Sequence, residues 1–436
     1  MTRAVLNIAL LLILCGSTFA SESMTLEQCL DIARSNSAEL QIAANAIRAS
    51  EMAKTAAKKD RWPRLSIVGN AGYAPASLDF GYDPAVSNGG ELGARIVAEQ
   101  TLYNGGLNGL DIRQASIEKE NRTLVYQQQE RNLVSSVRQA FISLLLAQRE
   151  AELRDRSVTR LNEYLDLVER LNESGTVGYT DLLSTRVDLS NAQIEAGKAR
   201  ESVESARFDL VRVMGSQDDT TLTIRGSLDS LLISPDNRTG EIPEIDLKNN
   251  LNIVSARTDY VQSRIALAQT KAQWRPSISL VADAGAVTSR ENLLLPEPER
   301  YKSLGYSVSI SFQMPLWDWG IRKAKVEQSR LELQSSSAMI DLVSRDVLTA
   351  YRTARSQLIG ALDRLETIRR MTETAQKNYL LSTAQYAEGS VTATEVLAAQ
   401  QMLTDTHQTE IETLAEIQLL KARLAHITQS TQDARQ

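Results

Sequence analysis

Two halves of this 436-residue chain carry the same landmarks in the same order. The tripeptide RWP at 61–63 is matched 213 positions later by WRP at 274–276. TLYNGG at 101–106 and GTVGYTDLL at 175–183 are matched 214 positions later by PLWDWG and GSVTATEVL. Landmarks at a fixed period indicate an internal repeat. The sequence therefore predicts a first repeat at 21–214, a connector at 215–244, a second repeat at 245–428 and a polar tail at 429–436.

The N-terminal segment 1–20 has the pattern of a secretory signal peptide. Arg3 precedes an apolar run, and small residues follow it up to Ala20, after which cleavage is expected. Lipidation would place Cys15 at the processing site, but Leu14 precedes it where a small residue is expected. No other stretch approaches the length of apolar sequence that a transmembrane helix needs, so the mature protein is expected to have none.

Each repeat begins with a predicted helix, at about 25–60 and 245–273, and continues with two segments of alternating character. The period of two predicts strands, with loops at 74–91 and 288–303 between them. A length of roughly 10–13 residues suits tilted membrane strands, although an ordinary half-buried sheet would show the same alternation. The predicted apolar faces are Leu65, Ile67, Gly69, Ala71 and Tyr73; Leu92, Ala94, Ile96, Ala98 and Leu102; Ile278, Leu280, Ala282, Ala284 and Ala286; and Leu304, Tyr306, Val308, Ile310, Phe312, Met314 and Leu316.

Two long stretches without proline, 107–173 and 321–388, follow the strand pairs and are rich in helix-forming residues. At about 1.5 Å per residue, each helix would reach roughly 100 Å. Shorter helices at about 180–214 and 394–428 follow the glycine-containing motifs. The sequence thus predicts two long helical hairpins that pack as coiled coils and turn tightly at Gly175 and Gly389.

Composition and spacing exclude several kinds of site. A net charge of -6, from 48 basic and 54 acidic residues, lacks the basic excess of a nucleic-acid-binding protein. Two Cys and two His are too few for a cysteine-rich zinc site or a disulfide framework, and His407 and His426 are too far apart for a helical metal pair. The motif of a phosphate-binding loop and that of a nucleophile elbow are both missing. We therefore expect no enzyme activity, no metal and no cofactor.

Four strands per chain are too few to close a barrel. An open sheet would leave two unpaired edges in lipid, where backbone groups must be paired. The strands are therefore expected to join a barrel shared between copies, whose number the sequence leaves open.

These features together resemble the outer-membrane efflux protein family, the TolC-like channels. The resemblance covers nearly the whole mature chain, through the tandem repeat, the strand pairs and the motifs at 175–183 and 389–397. It implies a fold that is mainly α with a membrane β-barrel portion. Long coiled-coil hairpins would form a periplasmic tunnel, and three chains would each supply four strands to a shared 12-stranded barrel.

The resemblance also implies a function and partners. The protein would be the outer-membrane exit channel of a tripartite efflux pump or of a one-step secretion system, with its helical part in the periplasm. It would conduct substrates passively as a homotrimer embedded in outer-membrane lipid. A periplasmic adaptor protein and an inner-membrane transporter, of the pump or ABC type, would complete the machine, and no nucleic acid is expected.

In this family the adaptor contacts a Val-Gly-Leu or Val-Gly-Thr triplet at each hairpin turn. The matching triplets here are Ser174, Gly175 and Thr176, and Glu388, Gly389 and Ser390. Glycine is kept and valine is replaced, so docking is expected while the preferred partner is open. The alternative interpretation is that the two glycines only end helices, which they do by adopting a positive φ.

The resemblance places the pore entrance just past the second turn. Glu395 matches the first of two acidic positions, and Ala398 occupies the second. Three copies of Glu395 would form a ring that favours cations; alternatively, Glu395 complements the helix dipole. Tyr386 matches the Tyr of a Tyr–Arg latch, but Val391 stands where the Arg would be, so a weakened closed state is expected.

A second class of function is compatible with part of this sequence. An exported coiled-coil scaffold without a pore would also need long helices. Such a scaffold has no need of two repeated pairs of strands with polar inner faces, which favours the channel. The transported substrate and the identities of the adaptor and transporter are left open by the sequence.

Overall fold

The computed structural model describes residues 24–74, 89–216, 224–226, 228, 244–290 and 300–428. The predicted signal peptide, most of the connector, most of both strand-joining loops and the tail lie outside the described residues. In chain order the elements are α1 (Leu26–Asn36), α2 (Ala38–Lys59), β1 (Arg64–Ala74), β2 (Gly89–Asn104), α3 (Leu107–Glu173), α4 (Tyr179–Met214), α5 (Leu251–Ala272), β3 (Ser277–Arg290), β4 (Arg300–Gln313), α6 (Ile321–Ala387) and α7 (Ala393–Thr428).

The long helices confirm the prediction made from sequence. α3 and α6 each contain 67 residues, and α4 and α7 each contain 36. Both long helices begin at the predicted positions, Leu107 and Ile321, and end at the predicted turns, because no proline interrupts either stretch. Within the described ranges, no helix is both long enough and apolar enough to cross a membrane.

The first predicted helix is wrong in one respect, since 25–60 forms two helices. Ser37 has an extended backbone between α1 and α2. Its hydroxyl accepts a hydrogen bond from the Leu40 backbone N–H at 3.2 Å, which is the bond of an N-cap residue. A serine cap therefore starts a new helix inside a segment with helical periodicity.

One of two compact units comprises residues 43–125 and 252–344 and contains the sheet. Its strands are antiparallel in the order β1-β2-β3-β4. They contain 11, 16, 14 and 14 residues, so three are longer than predicted and extend into segments expected to be loops. An irregularity between Thr101 and Tyr103 shifts the register near the end of β2.

The register confirms the predicted faces of the sheet. Ile67 lies opposite Ile96, Ile96 opposite Ala284, and Ala284 opposite Tyr306, so apolar positions of all four strands share one face. Most of the large apolar side chains on this face are exposed in the single chain. Leu102 departs from this arrangement because it falls at the irregularity in β2.

The opposite face of the sheet carries small and polar side chains. The Ser307 hydroxyl donates a hydrogen bond to Asp283 across 2.5 Å. Gly285 lies opposite Arg95, and a Cβ on this glycine would come within 2.5 Å of the arginine Cβ. The missing side chain of Gly285 thus allows the close approach of Arg95.

The other unit comprises residues 1–42, 126–251 and 345–436 and is mainly helical where it is described. Its main core includes Phe141, Leu210, Met214 and Ile417, all nearly inaccessible to solvent. Cys29 is buried in the same core, and burial raises the pKa of its thiol to about 11. Cys29 therefore acts as a small apolar residue.

Candidate functional site

The two hairpin turns have the same backbone geometry. Gly175 and Gly389 have φ values of 74° and 75°. The N–H of the residue after each glycine donates to a carbonyl five positions earlier, Thr176 to Leu171 and Ser390 to Gln385, at 2.9 Å in both turns. This is the hydrogen bond of a Schellman motif, which ends a helix with a left-handed residue.

The six residues predicted to contact an adaptor are all exposed at these turns. The Ser174 hydroxyl donates to the Leu171 carbonyl and lies 2.9 Å from the Thr176 hydroxyl, so the side chains of the first turn are locally ordered. A Cβ placed on either glycine would meet open space. Glycine is therefore required here by its backbone conformation and not by crowding.

Glu395 forms a capping box at the start of α7. Its carboxylate accepts hydrogen bonds from the Thr392 backbone N–H at 2.7 Å and from the Thr392 hydroxyl at 3.2 Å. In return, the Glu395 N–H donates to the Thr392 hydroxyl at 3.4 Å. Within one chain, Glu395 therefore caps the N-terminus of α7, and its side chain is still exposed to solvent.

Tyr386 is buried, with 2% of its surface exposed. Its hydroxyl donates a hydrogen bond to Asp181 Oδ2 at 3.2 Å, and its ring lies 5.4 Å from that of Tyr164. Burial, together with the Asp181 charge, raises the pKa of Tyr386 to about 12. The hydroxyl therefore stays protonated and able to donate at neutral pH.

Sequence reasoning missed the roles of Asp181 and Tyr164. The sequence alone assigns no site role to either residue. The available signal was the heptad spacing of Tyr379 and Tyr386, which places two aromatic residues on the same side of α6. Burial raises the pKa of Tyr379 as well, so both phenols stay neutral.

A small apolar core lies beneath the turns, which we call the tip cluster. Val391, which stands where the family has an arginine, packs half-buried against it. The apolar side chain of Val391 therefore shields part of this cluster from solvent. The cluster consists of Tyr164, Val168, Leu182, Ala375, Tyr379, Tyr386, Ala393, Val396, Ala399 and Leu403.

A polar layer follows the tip cluster along α3 and α7. Buried Gln400 donates to the Ser157 hydroxyl at 2.7 Å and to the Thr404 hydroxyl at 3.2 Å. Arg160 donates to the same threonine hydroxyl at 3.3 Å, and burial lowers the pKa of its guanidinium. These bonds fix one register between the helices, since a shifted helix would leave buried polar groups unpaired.

A groove of about 980 Å³ lies beside this layer, between α4 and α7. Both charged and apolar side chains line it, among them Arg154, Leu161, Asp188 and Asp405. In the part of the chain that the structure describes, no cluster of His, Cys, Asp and Glu could hold a metal ion.

Known proteins resemble this chain in sequence. It is 25% identical over 283 residues to the alkaline protease secretion protein AprF of Pseudomonas aeruginosa, covering 64% of this chain and 57% of AprF. The chain thus spans little more than half the length of that relative. It is 21% identical over 398 residues to the cobalt-zinc-cadmium resistance protein CzcC of Cupriavidus metallidurans, covering 88% of this chain and 85% of CzcC.

The fold is also similar to that of a solved structure. The chain superposes on a crystal structure of CusC, described in terms of transmembrane channel formation, with a TM-score of 0.78. The sequences are 16% identical, and the superposition covers 93% of this chain and 92% of CusC. The predicted fold class is thereby confirmed. A family model described as outer membrane efflux protein matches residues 29–216 and 242–429, which is well over half of the sequence, and the chain therefore belongs to the outer membrane efflux protein family.

Proposed function

We propose that this outer-membrane protein is the exit channel of a tripartite efflux pump or of a one-step secretion system. The observation that carries the proposal is the four-stranded sheet, which combines a continuous apolar face, a polar opposite face and two edges with which no described strand pairs. An apolar outer face and a polar inner face are typical of a barrel with lipid outside and water inside.

Closure of the sheet requires more than one copy of the chain. Exposed strand edges are not tolerated in hydrocarbon, because each unpaired backbone group loses its hydrogen bond to water. Three copies would supply twelve strands, which is the number that the family resemblance implies. We therefore propose a homotrimer in which the first repeat, 21–214, and the second, 245–428, each contribute one strand pair and one helical hairpin.

The hairpin turns are the proposed docking surface for a periplasmic adaptor protein. Support comes from the exposure of Ser174, Thr176, Glu388 and Ser390 and from the identical glycine geometry of the two turns. An adaptor that recognises one turn can use the same backbone shape at the other. The adaptor would connect the channel to an inner-membrane transporter of the pump or ABC type.

The pore entrance is proposed to lie at Glu395 and Tyr386. The Glu395 carboxylate is exposed although it caps α7, so it can serve both roles. In a trimer, three such carboxylates would favour cations. Tyr386 would hold the entrance closed through Asp181 instead of through the arginine that Val391 replaces.

The names of two relatives indicate the substrate classes to test. AprF is named for the secretion of a protease and CzcC for resistance to metal ions. A water-filled tunnel would conduct either passively, and we place substrate choice in the transporter.

The first experiment measures the mass of the protein extracted from outer membranes, after subtraction of bound detergent. Three chains per particle, together with step conductance in planar bilayers, are expected. A single chain that is released without detergent would refute the channel and favour the coiled-coil scaffold instead.

A further inference from the structure

The two strand hairpins of the chain have the same register. Arg64 lies opposite Glu99 in the first hairpin, and Ser277 lies opposite Gln313 in the second. Ser277 is 213 positions after Arg64, and Gln313 is 214 positions after Glu99. These are the offsets of the sequence repeat, so β3 is structurally equivalent to β1, and β4 to β2.

The contact between the two hairpins is a third, independent pairing. β2 pairs with β3, with Ile96 opposite Ala284. Because β4 is equivalent to β2, its other edge should pair with a strand that is equivalent to β3. Among the described residues of a single chain, no strand pairs with that edge of β4 or with the outer edge of β1.

A second observation shows that β4 lacks a neighbour. Residues 100–104 of β2 extend beyond the start of β1 and are held in the sheet by β3 alone. Their equivalents, residues 314–318, follow the last paired residue of β4 and have no strand opposite them within the described residues. Apolar side chains of this region are highly exposed, Leu65 of β1 by 77% and Leu316, just past β4, by 88%.

From this equivalence we infer the register of the seam between two copies of the chain, which rests on the proposed shared barrel and deepens it. β4 of one copy pairs antiparallel with β1 of the next. Ile310 lies opposite Ala71, and Phe312 lies opposite Gly69, as Ile96 and Ala98 lie opposite Ala284 and Ala282 inside the chain.

The inferred register keeps the apolar face continuous across the seam. Both members of each pair belong to the apolar face of their own sheet. A slip of one residue would place Phe312 opposite Val68 or Asn70, which belong to the other face. Residues 314–318 then gain the strand neighbour that residues 100–104 already have.

The segments that connect strands to helices make different contacts inside the chain and at the seam. Inside the chain, Arg275 donates a hydrogen bond to the Gly105 carbonyl at 2.9 Å, and a Cβ on Gly105 would lie 2.7 Å from the arginine Cβ. The equivalent positions at the seam are Trp62 and Trp319, which are 72% and 88% exposed.

Trp319 keeps the left-handed backbone of its glycine equivalent. Its φ is 55°, against 69° for Gly105, although a bulky side chain disfavours this region. A junction holding an indole at this position cannot close as tightly as the one inside the chain. Trp319 of one copy and Trp62 of the next therefore fill a wider junction at the seam.

Paired cysteines test this register. The variant Ile310→Cys with Ala71→Cys is made in a Cys29→Ala background and treated with a short thiol cross-linker in the outer membrane. Opposite Cβ atoms in an antiparallel pair lie about 4.5–5.5 Å apart. We expect a band of three chains on a denaturing gel. The pair Phe312→Cys with Gly69→Cys lies two residues along each strand and tests the same register. If one pair of substitutions disturbs folding, the other pair still gives a result.

Two control pairs make the outcome specific. Ile96→Cys with Ala284→Cys occupies the equivalent position inside the chain and should cross-link without changing the number of chains. Ile310→Cys with Ile67→Cys lies on the same face but four residues out of register and should stay a single chain on the gel.

The result separates the register from the proposed function. Suppose that the particle in detergent contains three chains, but that the shifted pair, Ile310→Cys with Ile67→Cys, cross-links and neither predicted pair does. The register is then wrong, and the proposed channel is not refuted. The same conclusion follows if only the internal control cross-links. If the particle contains one chain, both the seam and the shared barrel are refuted.

Discussion

The hydroxyl of Tyr386 donates a hydrogen bond to Asp181 across 3.2 Å, although the two residues are 205 positions apart in the chain. The bond joins the end of α6 to the first turn of α4. It therefore connects the two helical hairpins close to their turns, at the position proposed for the pore entrance.

Replacing Tyr386 by Phe should weaken this connection and leave the packing intact. The ring contact with Tyr164 is kept, and only the hydroxyl is lost, which costs about 0.5–1.5 kcal/mol. We expect a higher resting conductance in planar bilayers. Tyr179→Phe, at an exposed tyrosine of α4, is the matched control and should behave as wild type. Unchanged conductance of Tyr386→Phe would count against a closing role.

Replacing Glu395 by Gln separates the two roles of this residue. Glutamine can still form a capping box with Thr392, so the stability of α7 should change little. Removal of the charge should reduce the preference for cations, measured as the reversal potential in a salt gradient. Glu201→Gln, on the exposed side of α4, controls for charge alone. An unaltered reversal potential would leave Glu395 as a helix cap only.

Replacing Val391 by Arg should restore the second part of the family latch. An arginine beside the turn would strengthen the closed entrance, so resting conductance should fall below that of wild type. Val391→Leu keeps an apolar side chain over the tip cluster and is the control for packing. Equal conductance of wild type and Val391→Arg would refute the expectation of a weakened closed state.

Alanine at the turn glycines should destabilise the hairpins. Because Gly175 and Gly389 have positive φ values, each substitution should cost about 1–2 kcal/mol. Gly197→Ala in α4 is the opposite case, since it has open space and a helical backbone, and should stabilise by roughly 1 kcal/mol. Thermal unfolding of the three single variants in detergent measures the difference, and a neutral effect at both turns would contradict the argument.

The two histidines should make the protein less stable in mild acid. Burial lowers the pKa of both His407 and His426, so the unfolded chain binds protons more readily than the folded chain. Their stabilisation is therefore complete above about pH 6.5 and declines as the pH falls below that value. The midpoint temperature of thermal unfolding should fall between about pH 7.5 and pH 5.5, and it should fall less for the double variant His407→Gln, His426→Gln than for wild type. An equal loss would show that other groups dominate.

Much of the fold could be predicted because its signals are local. The absence of proline from 107–173 marks α3 along its whole length, and the alternation over 304–313 marks both the strand β4 and its faces. The break at Ser37 was missed because the helical periodicity continues through it, and only the serine side chain interrupts the helix.

The candidate site was predicted only in part. The glycine turns could be found because positive φ is a property of glycine itself. The bond from Tyr386 to Asp181 could not be found, since it depends on how two hairpins pack. From sequence, Glu395 could line the pore entrance or stabilise the start of a helix. The structure shows the helix-end role, which depends only on residues close in sequence.

The repeat also records where the chain has tolerated a change in length. β1 and β3 correspond at 213 positions, whereas β2 and β4 correspond at 214, so the second repeat gained or the first lost one residue between its two strands. The same change inside a strand would have turned its apolar side chains toward the polar face. This change in length thus lies between the two strands of the hairpin, so an epitope tag inserted between β3 and β4 should be accommodated without a change in strand register.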